Sequence, residues 1–351
     1  MRYKIFGKHT GLRVSELILG TANFGMAWGG HGANPDEARR IVDTYADAGG
    51  NVIDTANGYQ DGQSEQFVGD LLAGRRDAFV LSTKYAVKTD ASSGILVTGN
   101  SRQAMVASVD ASLKRLKTDR IDLFWAHVDD GVTPMEEIMR GFDDLVRAGK
   151  ILYAGLSNFP AWRVARAATI AELRGVVPIA GIQVEHSLVQ RATEQDLIAA
   201  ANALGLGVVA YSPLGGGVLT GKYRNDKTKN RRDEAWGGAG FQPENTPQRS
   251  AIIDTLIAIA DEAGVSPGEI AVAWVAVKGS LPIIGPRTLA QLESNLAAAE
   301  VALSLEQVAR LDQVSAIPRG YPYTVLDDPR IRDLITGGKF DDIDAPSHAV
   351  A

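Results

Sequence analysis

The chain has no cysteine, which removes disulfides and thiolate metal ligands from consideration and fits a reducing compartment. It also lacks any apolar run near the ~18 residues that a membrane-spanning helix requires. The first residues, Met1 to Gly7, hold no apolar stretch of the kind found in a signal peptide. Basic stripes are missing: 36 Lys and Arg are mixed among 42 Asp and Glu, for a net charge of −6. That balance argues against a nucleic-acid partner and against a polybasic membrane patch. There is no low-complexity tract and no Pro/Gly/Ser linker. What is present is an apolar content of 45% over 351 residues, enough to bury a large core. The expectation is a soluble, cytoplasmic globular protein with one domain, 1–351. Nothing in the sequence indicates an oligomeric state.

Short apolar runs alternate with helical spacing at a period of roughly 30 residues, the rhythm of βαβ units. Strands are expected at 16–20, 51–55, 79–84, 121–127, 152–157, 181–185, 207–211 and 282–284. Helices are expected near 35–49, 64–73, 101–116, 134–148, 160–174, 193–204, 249–263 and 288–299. Asn34–Pro35, Thr133–Pro134, and Asn158 ahead of Pro160 offer caps or first-turn prolines. Gly49, Gly149 and Gly205 fall where the preceding helices should end. Such an alternation is the count of a (β/α)8 TIM barrel, an α/β fold. An open doubly wound sheet is the rival, weakened because no G-x-G-x-x-G turn follows the first strand. Outside the repeat, 1–14 is expected to form an N-terminal β-hairpin that caps the barrel's bottom. Residues 213–248 form a long loop after strand seven, a length usually tied to function. Residues 316–351 read as a C-terminal tail.

Asp54, Lys84 and His127 lie at the C-terminal ends of expected strands two, three and four, and Tyr59 follows in the polar loop 57–62. Chemistry in such barrels sits at that face. A free phenol ionises near ~10. An ammonium ~4 Å away, at an effective dielectric of ~20, favours the phenolate by roughly 4 kcal/mol. That is about three pKa units before desolvation opposes it. Lys84 is therefore expected to draw Tyr59 toward a range useful for general acid–base work. Asp54 would hold Lys84 charged, and His127 would hydrogen-bond a substrate oxygen.

Singly, each residue has an ordinary reading: a structural ion pair, a core histidine, a surface tyrosine. Their joint placement favours a proton-transfer site. No metal site is expected, since neither H-E-x-x-H nor a paired His motif occurs, and G-x-S-x-G is also absent. Gly216 to Lys222 resembles a P-loop, but Tyr223 occupies the Ser/Thr position. On residue chemistry alone, Lys84 as the Schiff-base lysine of a barrel aldolase remains open.

Reducing a carbonyl needs a hydride carrier. The segment 282–288 leads from strand eight into a helix, with Thr288 and Gln291 at capping-box spacing. Helix N-termini attract phosphate, and Arg287 adds a guanidinium suited to it. Lys222, Arg224, Arg231 and Arg232 could close over that site or form a solvated surface run. Gln291 could serve only as a cap, and Tyr211 could stack on a flat ring or simply pack.

The motifs then show a resemblance. Residues 51–59 (Asn-Val-Ile-Asp-Thr-Ala-Asn-Gly-Tyr), 82–84 (Ser-Thr-Lys), 121–127 ending in Ala126–His127, and 155–159 (Gly-Leu-Ser-Asn-Phe) resemble aldo-keto reductases. So do 211–214, 219–223 and the Gly285, Gln291, Asn295 series, and the likeness spans about 1–315. It is nearer the aryl-alcohol dehydrogenase-like branch and the bacterial relatives of the potassium-channel β subunit than aldose reductase. The resemblance implies that Tyr59 is the general acid/base, that Lys84 and Asp54 tune it, and that His127 orients the carbonyl. It implies that Ser157, Asn158 and Gln183 hold the nicotinamide amide, with Tyr211 against its ring. Thr21 and Asp54 are counted among the cofactor-facing residues. Ser212, Leu214 and Lys222 would meet the pyrophosphate, and Gly285, Arg287, Gln291 and Asn295 the adenosine end.

Two departures stand out. Gly285 occupies the place of a lysine found in many members, leaving Arg287 to take a 2′-phosphate, and Ser294 replaces an acidic residue. NADP(H) is the implied cofactor, with NAD(H) the alternative, and the implied partner is a small-molecule carbonyl or alcohol substrate. Trp28, Tyr85, Phe159 and Trp236 are expected at the pocket rim, where aromatic rings favour an apolar or aromatic substrate. A non-catalytic NADP(H)-binding regulatory subunit is the reading from another class, opposed by the full quartet.

Overall fold

The computed structural model describes residues 1–224 and 242–344. Strands β1 (Tyr3–Ile5) and β2 (Arg13–Ser15) pair antiparallel as a hairpin. Eight further strands run parallel: β3 (Ile18–Gly20), β4 (Val52–Asp54), β5 (Val80–Tyr85), β6 (Ile121–Ala126), β7 (Ile151–Ser157), β8 (Ile179–Glu185), β9 (Gly207–Tyr211) and β10 (Leu281–Ile284). They close in chain order, β10 lying beside β3, as expected for the (β/α)8 barrel. Every residue of β5 and β6 is buried, because the barrel interior covers one face and the helices cover the other.

The helices are α1 (Pro35–Asp47), α2 (Gln63–Leu71), α3 (Arg102–Leu116), α4 (Met135–Arg147), α5 (Ala161–Arg174) and α6 (Leu197–Ala203). They continue with α7 (Pro247–Ala263), α8 (Pro267–Val277), α9 (Leu289–Ala297) and α10 (Leu305–Val314). Two short helices, α11 (Tyr323–Leu326) and α12 (Pro329–Thr336), lie in the tail. Local chemistry sets the ends. Asn34 accepts the Glu37 N–H to cap α1, with Pro35 in its first turn. Gly49, Gly149 and Gly205 follow α1, α4 and α6 with φ of 86°, 71° and 68°.

Helix α8 was not expected from the sequence. Its residues Ile270 to Val275 are all buried, so it carries no polar face and hence no helical stripe. Its local signals are the capping box of Ser266 and Glu269 and the first-turn Pro267.

The hairpin closes the barrel's lower end. Phe6, 1% exposed, reaches in beneath the strands. Its ring lies so close to Gly181 and Gly207 that a Cβ on either would sit 2.6 or 2.5 Å from it. Above it, Trp125 meets Phe6 edge-on with ring centroids 6.4 Å apart. A Cβ at Gly155 would lie 2.3 Å from the Trp125 ring. Side chains thus fill the cylinder from the floor upward and leave the strands' C-terminal ends as the place for a site.

Candidate active site

Asp54 ends β4, and Lys84 lies next to the end of β5, whose register sets Ser82 opposite Asp54. Alternation along β5 turns Ser82 and Lys84 inward. The Lys84 ammonium donates to Asp54 Oδ2 at 2.5 Å, to the Thr55 carbonyl at 2.7 Å and to Tyr59 Oη at 3.2 Å. All three of its protons are thereby used. Tyr59 is delivered by a tight turn in which Gln60 and Asp61 take φ of 51° and 54°. His127, just past β6, meets the Tyr59 ring edge-on at 6.0 Å, and Trp28 meets it at 6.4 Å. The four residues expected to act together are therefore adjacent.

Their electrostatics differ from expectation in one respect. Burial pushes the Tyr59 phenol up, and the opposing pull of the Lys84 ammonium does not overcome it. Desolvation outweighs the pair attraction: a phenolate in a poorly solvated site loses more from desolvation than one cation returns. Tyr59 is accordingly a protonated donor. Burial acts to deprotonate Lys84, but Asp54 and Tyr59 outweigh it and hold the ammonium charged. His127 is pushed down to about 3, by burial first and by the Lys84 charge second, so its imidazole is neutral. Its Nδ1 is buried without a partner. An unpaired lone pair is tolerated better than an unpaired N–H, which leaves the proton on Nε2.

Below this group Asp54 Oδ1 accepts from Ser82 Oγ at 2.7 Å and from Gln183 Nε2 at 3.1 Å. Ser82 Oγ in turn accepts from Trp125 Nε1 at 2.7 Å. Neither Ser82 nor Trp125 was anticipated, although Ser82 is two residues from Lys84 and so on the same strand face.

The residues expected around a nicotinamide fall into three groups. At the mouth, Tyr211 Oη donates to Asn158 Oδ1 at 2.9 Å, and Asn158 Nδ2 donates to the His127 carbonyl at 2.9 Å and to Ser157 Oγ at 3.0 Å. Gln183 commits its amide N–H to Asp54, leaving its oxygen as an acceptor. Ser212 turns the chain there with φ of 54°, ahead of half-buried Leu214. Beyond them, exposed Lys222 rests over the Tyr223 ring at 5.0 Å, and neither it nor half-buried Arg287 has an ion-pair partner among the described residues.

At the α9 N-terminus, Thr288 caps by accepting the Gln291 N–H. Gln291 Oε1 accepts the Arg287 N–H at 2.8 Å. Asn295 is half-buried one turn on, and Gly285 has only Asn23 Nδ2 near its missing Cβ, at 3.8 Å. One residue here was unforeseen. Glu37 of α1 accepts the Leu289 N–H at 2.6 Å, which places a carboxylate on the first turn of α9.

Several expected residues stand elsewhere. Tyr85 is not at the rim: it is fully buried outside the barrel wall, stacked on Phe124 at 5.2 Å and edge-on to Phe142. Phe159, 2% exposed, is packed in the core beneath the Arg163 guanidinium. Thr21 is buried with its hydroxyl on the Asp54 carbonyl and Ser64. Arg224 is bound to Glu244 and Asp254, so it is tied to α7 rather than free to reach a cofactor. Trp236, Arg231 and Arg232 lie outside the described residues. Among the described residues no cluster of three or more His, Asp or Glu side chains could hold a metal ion. No described helix is long and apolar enough to cross a membrane.

The sequence matches the Aldo/keto reductase family over residues 16–316. The chain belongs to that family. Aldo/keto reductases form an oxidoreductase family, and its full-length relatives include several fungal and bacterial proteins. An oxidoreductase of Bacillus subtilis is 37% identical over 333 residues, covering 91% of this chain and 98% of its own. The norsolorinic acid reductase of Aspergillus flavus is 34% identical over 334 residues, with 92% and 84% covered. The aryl-alcohol dehydrogenase [NADP(+)] of Phanerodontia chrysosporium is 32% identical over 349 residues, with 93% and 89% covered. Within this aldo/keto reductase, the Asp54–Tyr59–Lys84–His127 group is the candidate catalytic centre.

Proposed function

We propose that the protein is an NADP(H)-dependent oxidoreductase that interconverts a carbonyl and an alcohol, with Tyr59 as the general acid/base. The observation that carries this is the Lys84 ammonium, held between buried Asp54 and the Tyr59 hydroxyl at 2.5 and 3.2 Å. In reduction, neutral His127 donates from Nε2 to the carbonyl oxygen and fixes it near the Tyr59 hydroxyl. Tyr59 gives its proton to that oxygen, and the adjacent ammonium stabilises the phenolate left behind. Oxidation reverses the proton's path. A nicotinamide bound at the mouth supplies or accepts the hydride.

The donor set suits that cofactor. Ser157, Asn158 and the Gln183 oxygen can hold a carboxamide, with Tyr211 against its ring. Ser212, Leu214 and Lys222 suit the pyrophosphate, and Gly285, Arg287, Gln291 and Asn295 suit the adenosine end. Arg287 supports a 2′-phosphate, hence NADP(H) over NAD(H). Trp28 beside Tyr59, together with the aryl-alcohol and norsolorinic acid names of relatives, supports an aromatic or otherwise apolar substrate. A Schiff-base role for Lys84 is disfavoured, because it needs a neutral amine and this one is held charged by a carboxylate.

The test is steady-state oxidation of NADPH, and reduction of NADP+, with panels of aromatic and aliphatic aldehydes and alcohols, using wild type and Tyr59→Phe. Turnover that depends on Tyr59 supports the reading. Tight cofactor binding without turnover on any substrate would replace it with a sensing role, and equal activity of Tyr59→Phe would remove the mechanism.

A further inference from the structure

We propose that Trp125 and Ser82 form a one-directional hydrogen-bond relay that positions Asp54 and thereby tunes the acidity of Tyr59. They are positioning residues, and the proposal deepens the acid/base reading of Tyr59 on which it rests. The direction follows from valence. An indole N–H can only donate, so at 2.7 Å it occupies a lone pair of Ser82 Oγ. The single Ser82 proton is then directed to Asp54 Oδ1, also at 2.7 Å. Asp54 passes the effect on through Oδ2 to Lys84 at 2.5 Å, and Lys84 to Tyr59 at 3.2 Å. Five side chains thus connect the middle of the cylinder to its mouth.

The relay is built rather than incidental. Trp125 lies opposite Lys84 in the β5–β6 register, and Ser82 opposite Asp54 in the β4–β5 register. Trp125 is fully buried, with Gly155 on one side of its indole and Phe6 edge-on at 6.4 Å. The indole cannot turn its N–H elsewhere without displacing one of them. Asp54, Ser82 and Trp125 border a largely aliphatic cavity of about 10 Å³. That is at the lower limit for a single water, so solvent is a poor substitute for the indole.

The physical effect is on charge density. Asp54 raises the Tyr59 pKa through its negative field. Each neutral donor on Asp54 Oδ1 disperses that charge and lets the Lys84 ammonium act with less opposition. Removing donors should therefore make Tyr59 a weaker acid. The other titratable groups facing Tyr59 are Lys84 from β5, Asp54 from β4, His127 after β6 and, farther off, Tyr211 from β9. Asp61 lies on its own turn. Trp125→Phe and Ser82→Ala leave all of them in place.

Trp125→Phe, Ser82→Ala and Ser82→Thr are to be compared with wild type in two ways. Carbon-13 tyrosine NMR, with Tyr59 assigned from Tyr59→Phe, reads the phenol directly and requires no turnover. Kinetics read kcat, KM and the alkaline limb of the pH profile. The expected result is a Tyr59 titration displaced to higher pH in Trp125→Phe and Ser82→Ala. Reductive kcat should fall roughly threefold to tenfold, with KM and cofactor Kd unchanged and with Ser82→Thr restoring both readouts.

An unmoved Tyr59 titration in folded Ser82→Ala overturns the proposal. So does a Ser82→Thr variant that behaves like Ser82→Ala. Should Trp125→Phe fail to fold, the Ser82→Ala and Ser82→Thr pair decides alone. Failure of wild type to turn over any carbonyl defeats the functional reading but leaves the phenol titration to judge the relay.

Discussion

At the scale of single residues, the site separates charge by environment. Lys84 stays cationic because Asp54 accompanies it into the core, whereas His127, half-buried and facing that cation, is held neutral. Tyr59→Phe removes the hydroxyl that carries the transferable proton and accepts from Lys84, so kcat should drop by about 10²- to 10⁴-fold. Cofactor affinity, measured by fluorescence titration, should stay unchanged. His127 makes a second prediction, about pH. Its folded pKa is about 3 against the ordinary histidine value of 6.5. The unfolded chain therefore takes up this proton first as pH falls. Stability contributed here is whole above pH 6.5 and declines toward pH 3. His127→Gln should flatten that decline, read as urea midpoints across the same window. Reductive kcat/KM of wild type should show no limb assignable to His127 near neutrality.

At the scale of elements, strand alternation decides which residues reach the site. Lys84 and Tyr85 are consecutive, so the inward turn of one sends the other outward onto Phe124 and Phe142. The expectation of Tyr85 among the aromatic rim residues fails on that period of two. The same rule would have singled out Ser82 from the sequence. Phe159 escaped for another reason: its burial depends on Arg163 from α5, a contact with no local signature. Helix α8 was illegible because a helix buried on all sides has no amphipathic stripe.

Glu37 could not have been found from motifs either, since it comes from α1, 252 positions before its partner on α9. Its carboxylate on the α9 N-terminus opposes a second anion there. Glu37→Gln should tighten NADPH binding by about two- to fivefold with little change for NADH. Arg287→Ala should weaken NADPH more than NADH, by roughly tenfold. Equal effects on both dinucleotides, measured by calorimetry, would remove the 2′-phosphate from this corner.

At the scale of the whole molecule, the barrel was legible because its repeat is written eight times, and alternating apolar runs and helical spacing need no long-range information. The quartet was legible because three of its members end neighbouring strands. What lay beyond reach was how the interior is filled, which depends on glycines clearing space for rings from distant segments. Phe6→Ala tests that filling. It empties a site bounded by Gly181, Gly207 and Trp125, and should lower the unfolding free energy by about 3–5 kcal/mol. Urea denaturation reads that loss, while the quartet at the opposite end should keep its chemistry.

The Phe6 floor also governs traffic. Among the described residues, one end of the cylinder is plugged by a ring and the wall is formed by continuous strands, which leaves the mouth as the route for hydrogen ions. Under the proposed mechanism, whatever Tyr59 surrenders in one cycle would be recovered through the opening by which reactants arrive and products depart.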